Sequence, residues 1–471
     1  LEYLSSWVKV NSGVNMTSNS DNKVAIFQAN IKREDGSKLE APKVGDIQVE
    51  NNGNITLTGK NSTALATSFG TVTNTGNISS IGENGVGIYA ADNSIVRNTG
   101  TIQVGTNGVA IFGENDLKIG GNSTAISNNK DINITNTGTI KAKDNSTGVY
   151  GIYAKNDKTN YTKATSTITN SGNIDFANNK SSVGIYAENS TLTSSGNVSV
   201  GKNGVGIRTI KSDVTLTKGD INATSATGMY LESARGKNSG DIKVGNSSTG
   251  IYGIYKNSTS KFDGVTPNKS VILNDTGKNI QIGDSSAGIY SVKFEKVENK
   301  GVISGGNKSV GIYAANSKVE NGVNDVRDIS MNIKNSGDVT LGNGSAGIYV
   351  KSDPSSVNRS NIEHSGNITV GDTIFNASGA AENSSVGIYT EKSNVTSTGN
   401  ITVGNKGIVL FGSDSTMNIN SGNIDYSNDG SLAYMENSVL NYNIGGTLQT
   451  YSDPMLFINN SIVTMAQNDI N

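Results

Sequence analysis

No cysteine occurs in this chain, so it has neither a disulfide framework nor a thiol nucleophile. Histidine occurs once, at His364, which excludes a histidine metal cluster. By length alone 471 residues suffice for three ordinary domains, yet four prolines, one tryptophan, 6% aromatic and 34% hydrophobic residues border on a low-complexity or disordered composition, against which the chain's periodicity argues. No apolar run approaches the roughly 18 residues of a membrane helix, and Leu1 is neither a start methionine nor part of a signal peptide. The chain therefore reads as a piece of a longer protein. A net charge of −2 supplies no field for nucleic acid or acidic membranes.

What the chain has in quantity is glycine, 57 residues of it, and the glycines keep time. A phrase close to Asn-Ser/Thr-Gly-Asn/Asp-Ile places Gly at 13, 53, 76, 100, 138, 172, 196, 219, 240, 277, 301, 337, 366, 399, 422 and 445. About half of the intervals are 21 to 24 residues and the rest are longer, so the unit is about 23 residues with insertions, the signature of a solenoid. Each unit holds three short runs that alternate apolar and polar: "GTIQVG" (100 to 105), "VGIYA" (86 to 90) and "SKVEN" (317 to 321) are examples. Gly, Asn, Ser and Asp lie between them, where tight turns need residues that tolerate positive φ. Three strands and three turns per unit predict an all-β chain, a parallel β-helix of about 16 coils. Coil stability must come from stacking, since one coil cannot bury its own apolar face. The alternation predicts Val86, Ile88 and Ala90 inside, with Val198, Val200, Ile242 and Val244.

A tyrosine column is expected outside, at Tyr89, Tyr153, Tyr186, Tyr230, Tyr255, Tyr290, Tyr313, Tyr349, Tyr389 and Tyr434, with Phe27, Phe112 and Phe457 equivalent and Arg208 and Val409 interrupting. An inward arginine would be costly in so thin a core, which places Arg208 and its column outward. Such a column stiffens a sheet face or offers a platform for sugar or protein. The extra residues lie near 31–46, 113–130, 155–165, 256–269, 318–330 and 351–359, all leaving just past the tyrosine, with a seventh insertion at 371–385 before it. Long loops on a rigid scaffold are where recognition sits. Four of the seven crowd neighbouring coils, and their charged and aromatic side chains are the expected partner-binding residues: Lys256, Lys261, Phe262, Asp263, Asp325, Arg327, Asp353, Arg359 and Phe375.

Catalysis finds little support. A paired-carboxylate hydrolase on a solenoid would place its acids side by side or at one position in successive coils. No Asp-Asp, Asp-Glu or Glu-Glu dipeptide occurs, and Asp220 and Asp241, which stack in neighbouring coils, fall at a turn where Asn is the usual occupant. "GDSSAG" (283 to 288) has the outline of a serine nucleophile loop, but His364 falls in a turn position where Asn, Ser or Thr usually sits. No catalytic residue, metal or cofactor is expected, and the chain reads as a non-enzyme.

The phrases "SVGIYAANS", "NTGTI" and "NSGNI", at irregular spacing over nearly the whole chain, resemble the passenger domains of the very large fusobacterial autotransporter adhesins. That resemblance implies a right-handed parallel β-helix exposed at a Gram-negative outer membrane and exported through a C-terminal barrel that this segment lacks. It implies virulence functions, with attachment to other bacteria and to host cells. The family includes a galactose-inhibitable member that binds Gal-GalNAc glycans and the immune-inhibitory receptor TIGIT, and an arginine-inhibitable co-aggregation member. The expected partners are accordingly a TIGIT-like host receptor, galactose-type glycans or other bacteria, met by a monomeric segment. Two other readings remain: a purely structural stalk, and a β-helix polysaccharide lyase or hydrolase.

Overall fold

The computed structural model describes residues 6–29, 32–33, 39–40, 47–115, 131–156, 166–256, 270–316, 319–320, 323–324, 329–353, 355–426, 429–448, 450–466 and 468–470. They form a parallel β-helix in two compact units, one over 1–226 and one over 227–257 and 269–471. In each, the chain visits three parallel sheets in turn. One coil of the first unit is Ile95–Asn98, Thr101–Val104 and Val109–Asn115; one of the second is Lys296–Asn299, Val302–Gly305 and Val310–Asn316. The three sheets are called here the asparagine, valine and tyrosine sheets, after the residue each strand contributes to a stacked column. Strands of successive coils pair residue on residue, as Ile102 with Ile140 and Tyr313 with Tyr349. The run "SKVEN" is not a coil strand, against expectation: Val319–Glu320 pairs antiparallel with Val323–Asn324, and Asn332–Asn335 takes the third place instead, paired with Lys296–Asn299.

The valine sheet follows its alternation. Val198, Val200, Ile242 and Val244 are buried. The tyrosine sheet does not. Ile88 and Ala90 are fully buried, but Val86 is part-exposed, against expectation, and Gly87 takes the inward place before Ile88. A Cβ on Gly87 would meet the Ile102 side chain at 2.6 Å, and Gly87 drops out of the pairing register, which passes from Val86–Val109 to Ile88–Ile111. The strand bends there, so two consecutive residues face in and the outward places fall three apart, at Val86 and Tyr89.

The corners are minimal where nothing is inserted. Lys392, at φ 49°, alone joins Val386–Glu391 to Ser393–Ser397. Asn189, Lys211, Ser233 and Asn437 hold the same left-handed conformation at equivalent corners. Serine hydroxyls knit the other corner: Ser286 accepts from the Ser248 amide at 3.0 Å, Ser309 from Ser286 at 3.3 Å and Ser345 from Ser309 at 3.1 Å.

At the end of each asparagine-sheet strand lies the polar counterpart of the apolar core. In the first unit Asn51, Asn74, Asn98, Asn136 and Asn170 are stacked, each side-chain amide donating to the next carbonyl oxygen at 2.7 to 2.8 Å, and Asn170 donates to Ser194 at 3.2 Å. In the second unit Asn238, Asn274, Asn299 and Asn335 do the same at 2.7 to 2.8 Å. These amides are essentially inaccessible, with Asn274, Asn299 and Asn335 each 0% exposed. Buried amides are stable only when their donors and acceptors are met, and the ladder meets them coil by coil. Both ladders pass through a serine to an apolar residue, Ser194 to Leu216 and Ser397 to Ile419.

His364 stands in the second ladder. Asn335 donates to its Nδ1 at 3.2 Å, which leaves Nε2 to carry the proton toward the Asn400 carbonyl at 3.4 Å. The contacts suit only a neutral ring, and burial pushes its pKa below the ordinary 6.5. The unfolded ring, titrating near the ordinary value, binds a proton first as pH falls. The stability that neutral His364 contributes is therefore whole above about pH 6.5 and is lost as pH falls from there through the depressed native value. Urea unfolding of the native chain and of His364→Asn between about pH 8 and pH 5 checks this. The variant should lose less stability on acidification, and parallel curves would refute the assignment.

Candidate interaction surface

The outward column of the tyrosine sheet runs, in the first unit, through Phe27, Ala66, Tyr89, Phe112, Tyr153, Tyr186 and Arg208. In the second it runs through Tyr230, Tyr252, Tyr290, Tyr313, Tyr349, Tyr389, Phe411, Tyr434 and Phe457. Two sequence assignments are corrected. The column residue in its coil is Tyr252, not Tyr255, because "TGIYGIY" offers the motif twice and only the first copy is in register; Tyr255 lies past the strand end, buried at the corner. Val409 does not interrupt the column. It takes the inward place that glycine holds elsewhere, fully buried, and Phe411 continues the ladder. Distance from the preceding turn, rather than the Gly-Ile-Tyr letters, is the signal that separates these residues.

Arg208 faces outward as expected, its guanidinium 5.8 Å from the Tyr186 ring centroid. From Tyr230 to Tyr434 successive ring centroids are 4.2 to 5.3 Å apart and the planes within 2° to 14° of parallel. Each ring from Tyr252 to Phe411 therefore has both faces covered by its neighbours. A sugar stacks on a ring face, and here those faces are occupied, so the column stiffens the sheet and presents ring edges and hydroxyls. Several hydroxyls are engaged by acids on the same strand: Tyr186 donates to Glu188 at 2.8 Å and Tyr389 to Glu391 at 2.7 Å.

The expected loop residues lie on two borders of this sheet in the second unit. Past the tyrosine, Lys256 pairs with Glu232 at 2.9 Å, and its backbone amide donates to the Ser233 hydroxyl at 3.0 Å. Further along the same border Asp353 accepts from the Ser355 amide at 2.8 Å and opens a compact turn. Arg359 closes that turn, its guanidinium on the Asp414 carboxylate at 2.9 Å and its carbonyl held by the Ser330 hydroxyl at 2.7 Å. Val357 at the tip is 87% exposed. Phe375 lies on the opposite border, before the tyrosine strand, in an antiparallel hairpin of Ile374–Phe375 with Ala381–Asn383. It is 40% exposed, and Glu382 of the hairpin reaches Lys308 at 3.3 Å. The structure thus gathers Asp353, Val357 and Arg359 in one projection and puts Phe375 in another. Lys261, Phe262, Asp263, Asp325 and Arg327 lie outside the described residues.

Val357, Asp414 and Glu382 were not singled out from sequence. Val357 is the one apolar residue between Pro354 and Arg359, and that contrast was a usable signal. Asp414 and Glu382 become relevant only through partners 55 and 74 residues away. Exposed ion pairs of this kind contribute at most about 1 kcal/mol each, so they orient the projections more than they stabilise the coils.

Among the described residues no group of three or more His, Asp or Glu side chains is placed to hold a metal ion. Compared with known protein-family models, with curated proteins and with solved structures, the chain matches none.

Proposed function

We propose that this chain is a segment of a bacterial surface adhesin. Its coils form a rigid support, and the projections at the borders of the tyrosine sheet contact a TIGIT-like host receptor, a galactose-type glycan such as Gal-GalNAc, or both. The observation that carries the reading is how little the insertions disturb the coils. Asn299 stacks on Asn335 across 36 residues, and Ser360 to His364 pair in register with Ser393 to Ser397, although corner segments of very different length intervene. A scaffold indifferent to what leaves its corners suits display. The covered ring faces direct attention to the projections rather than to the ladder.

The test uses the chain and a variant in which 256–269 and 353–359 are removed together, leaving short corners like the one at Lys392. Binding to purified receptor ectodomains and to glycan arrays is measured with and without free galactose. The native chain should bind and the variant should lose at least about tenfold in affinity, the loss of about 1.4 kcal/mol of contact. No binding by the native chain to any candidate supports the stalk reading, and unchanged binding by the variant removes the loops from the site.

A further inference from the structure

We propose that Tyr349 and Tyr389 form an oxidative modification site, at which a one-electron oxidant joins them into a dityrosine that ties two successive coils together. Their ring centroids are 4.2 Å apart and their planes within 3°, the closest pair in the ladder. Both rings are half-buried, so their edges reach solvent while their places stay fixed by in-register strands. The neighbours make the pairing selective. Phe411 covers the other face of Tyr389 at 4.4 Å and has no phenol to oxidise. Tyr313, on the other side of Tyr349, is 5.3 Å away and tilted by 14°.

A proton acceptor is also in place. Tyr389 donates to the Glu391 carboxylate at 2.7 Å. Burial, that contact and the adjacent Tyr349 hold the Tyr389 phenol above its ordinary pKa, so the group reaches the oxidant neutral and must lose a proton with its electron. Glu391 stands within transfer distance.

The chemistry balances with a haem peroxidase and hydrogen peroxide as oxidant. Each phenol gives up one electron and its hydroxyl proton, Tyr389 to Glu391 and Tyr349 to water, and the two electrons and two protons reduce one peroxide to two waters. The two phenoxyl radicals couple through one carbon–carbon bond between ortho positions. The two ortho hydrogens then leave as protons, the phenol hydroxyls are restored, and the product is two hydrogens lighter than the parent chain. In a protein without cysteine this is a route to a covalent staple, one that closes a long loop of chain and limits the unfolded state as a disulfide does.

The experiment treats the folded chain with peroxidase and sub-stoichiometric peroxide, records dityrosine emission, and maps cross-linked peptides by mass spectrometry. The native chain should give an intramolecular Tyr349–Tyr389 peptide as its main product, with Tyr290–Tyr313, at 4.4 Å and 8°, second. Tyr389→Phe should abolish the first peptide and leave the second, and it should fold, since Phe411 occupies the same column. Urea-unfolded chain should show no preference for either pair. The proposal is overturned if native and unfolded chains give the same distribution, or if the native product is only intermolecular.

Discussion

Replacing Gly337 by alanine should destabilise the second unit by about 3 kcal/mol or more, although only a methyl group is added. A Cβ at this position would stand 1.9 Å from the Gly301 carbonyl oxygen and 2.8 Å from the carbonyl carbons of Gly301 and Lys300. Every obstructing atom is backbone of the coil below, so no rotamer change relieves the contact. The same approach recurs at Gly100 over Gly76, Gly172 over Gly138 and Gly366 over Gly337, at 1.9 to 2.1 Å. Gly277 supplies the control. It occupies the corresponding turn at φ +69° but nothing lies within 4 Å of its Cβ direction, so Gly277→Ala meets only the left-handed backbone cost of about 1 to 2 kcal/mol. Urea denaturation of both variants decides the matter, and a Gly337→Ala loss no larger than that of Gly277→Ala would refute the close-approach account.

Asn299→Leu is the second large effect, with an expected loss of about 3 to 5 kcal/mol. Asn299 accepts from Asn274 at 2.8 Å, donates to Asn335 at 2.7 Å and also donates to the Gly301 carbonyl at 3.1 Å. Leucine leaves a buried amide donor on one side and a buried carbonyl oxygen on the other without that partner. Steric exclusion is not the cause, since Leu216 and Ile419 fill the same column elsewhere. Asn394, which donates to Asn361 at 3.2 Å in the open, should cost under about 1 kcal/mol when changed to alanine. Thermal and urea unfolding of the two variants measure the contrast, and equal losses would show that the ladder is no stronger than a surface contact.

Much of this architecture was legible in the letters. The recurring turn glycine set the period, and the alternation of runs such as "GNVSVG" assigned the valine sheet correctly because that strand is regular and half-buried. The tyrosine sheet misled at Val86 because its glycine bends the strand, and a two-residue alternation carries no mark of a bend. The column could be placed by motif except where the motif was doubled, at Tyr252, or degraded, at Ala66 and Phe411. The asparagine ladder was visible only as turn chemistry. Asn commonly marks exposed turns, and nothing local to Asn299 reveals that its partners 25 and 36 residues away hold it in the interior. The candidate surface was the least legible, because Arg359 and Glu382 are defined by Asp414 and Lys308, contacts set by the stacking of coils rather than by neighbours in sequence.

The one-residue corner at Lys392 has a consequence for how such a chain changes over generations. A corner that needs a single left-handed residue is a socket, and the stretch from Asp353 to Arg359 fills a like position with seven residues while the strands on either side keep their pairing. Length and chemistry at a socket are then free to drift or be exchanged without compensating change in the sheets. Surface novelty and structural inheritance are written in separate parts of each repeat, and selection can act on one while the other stands still.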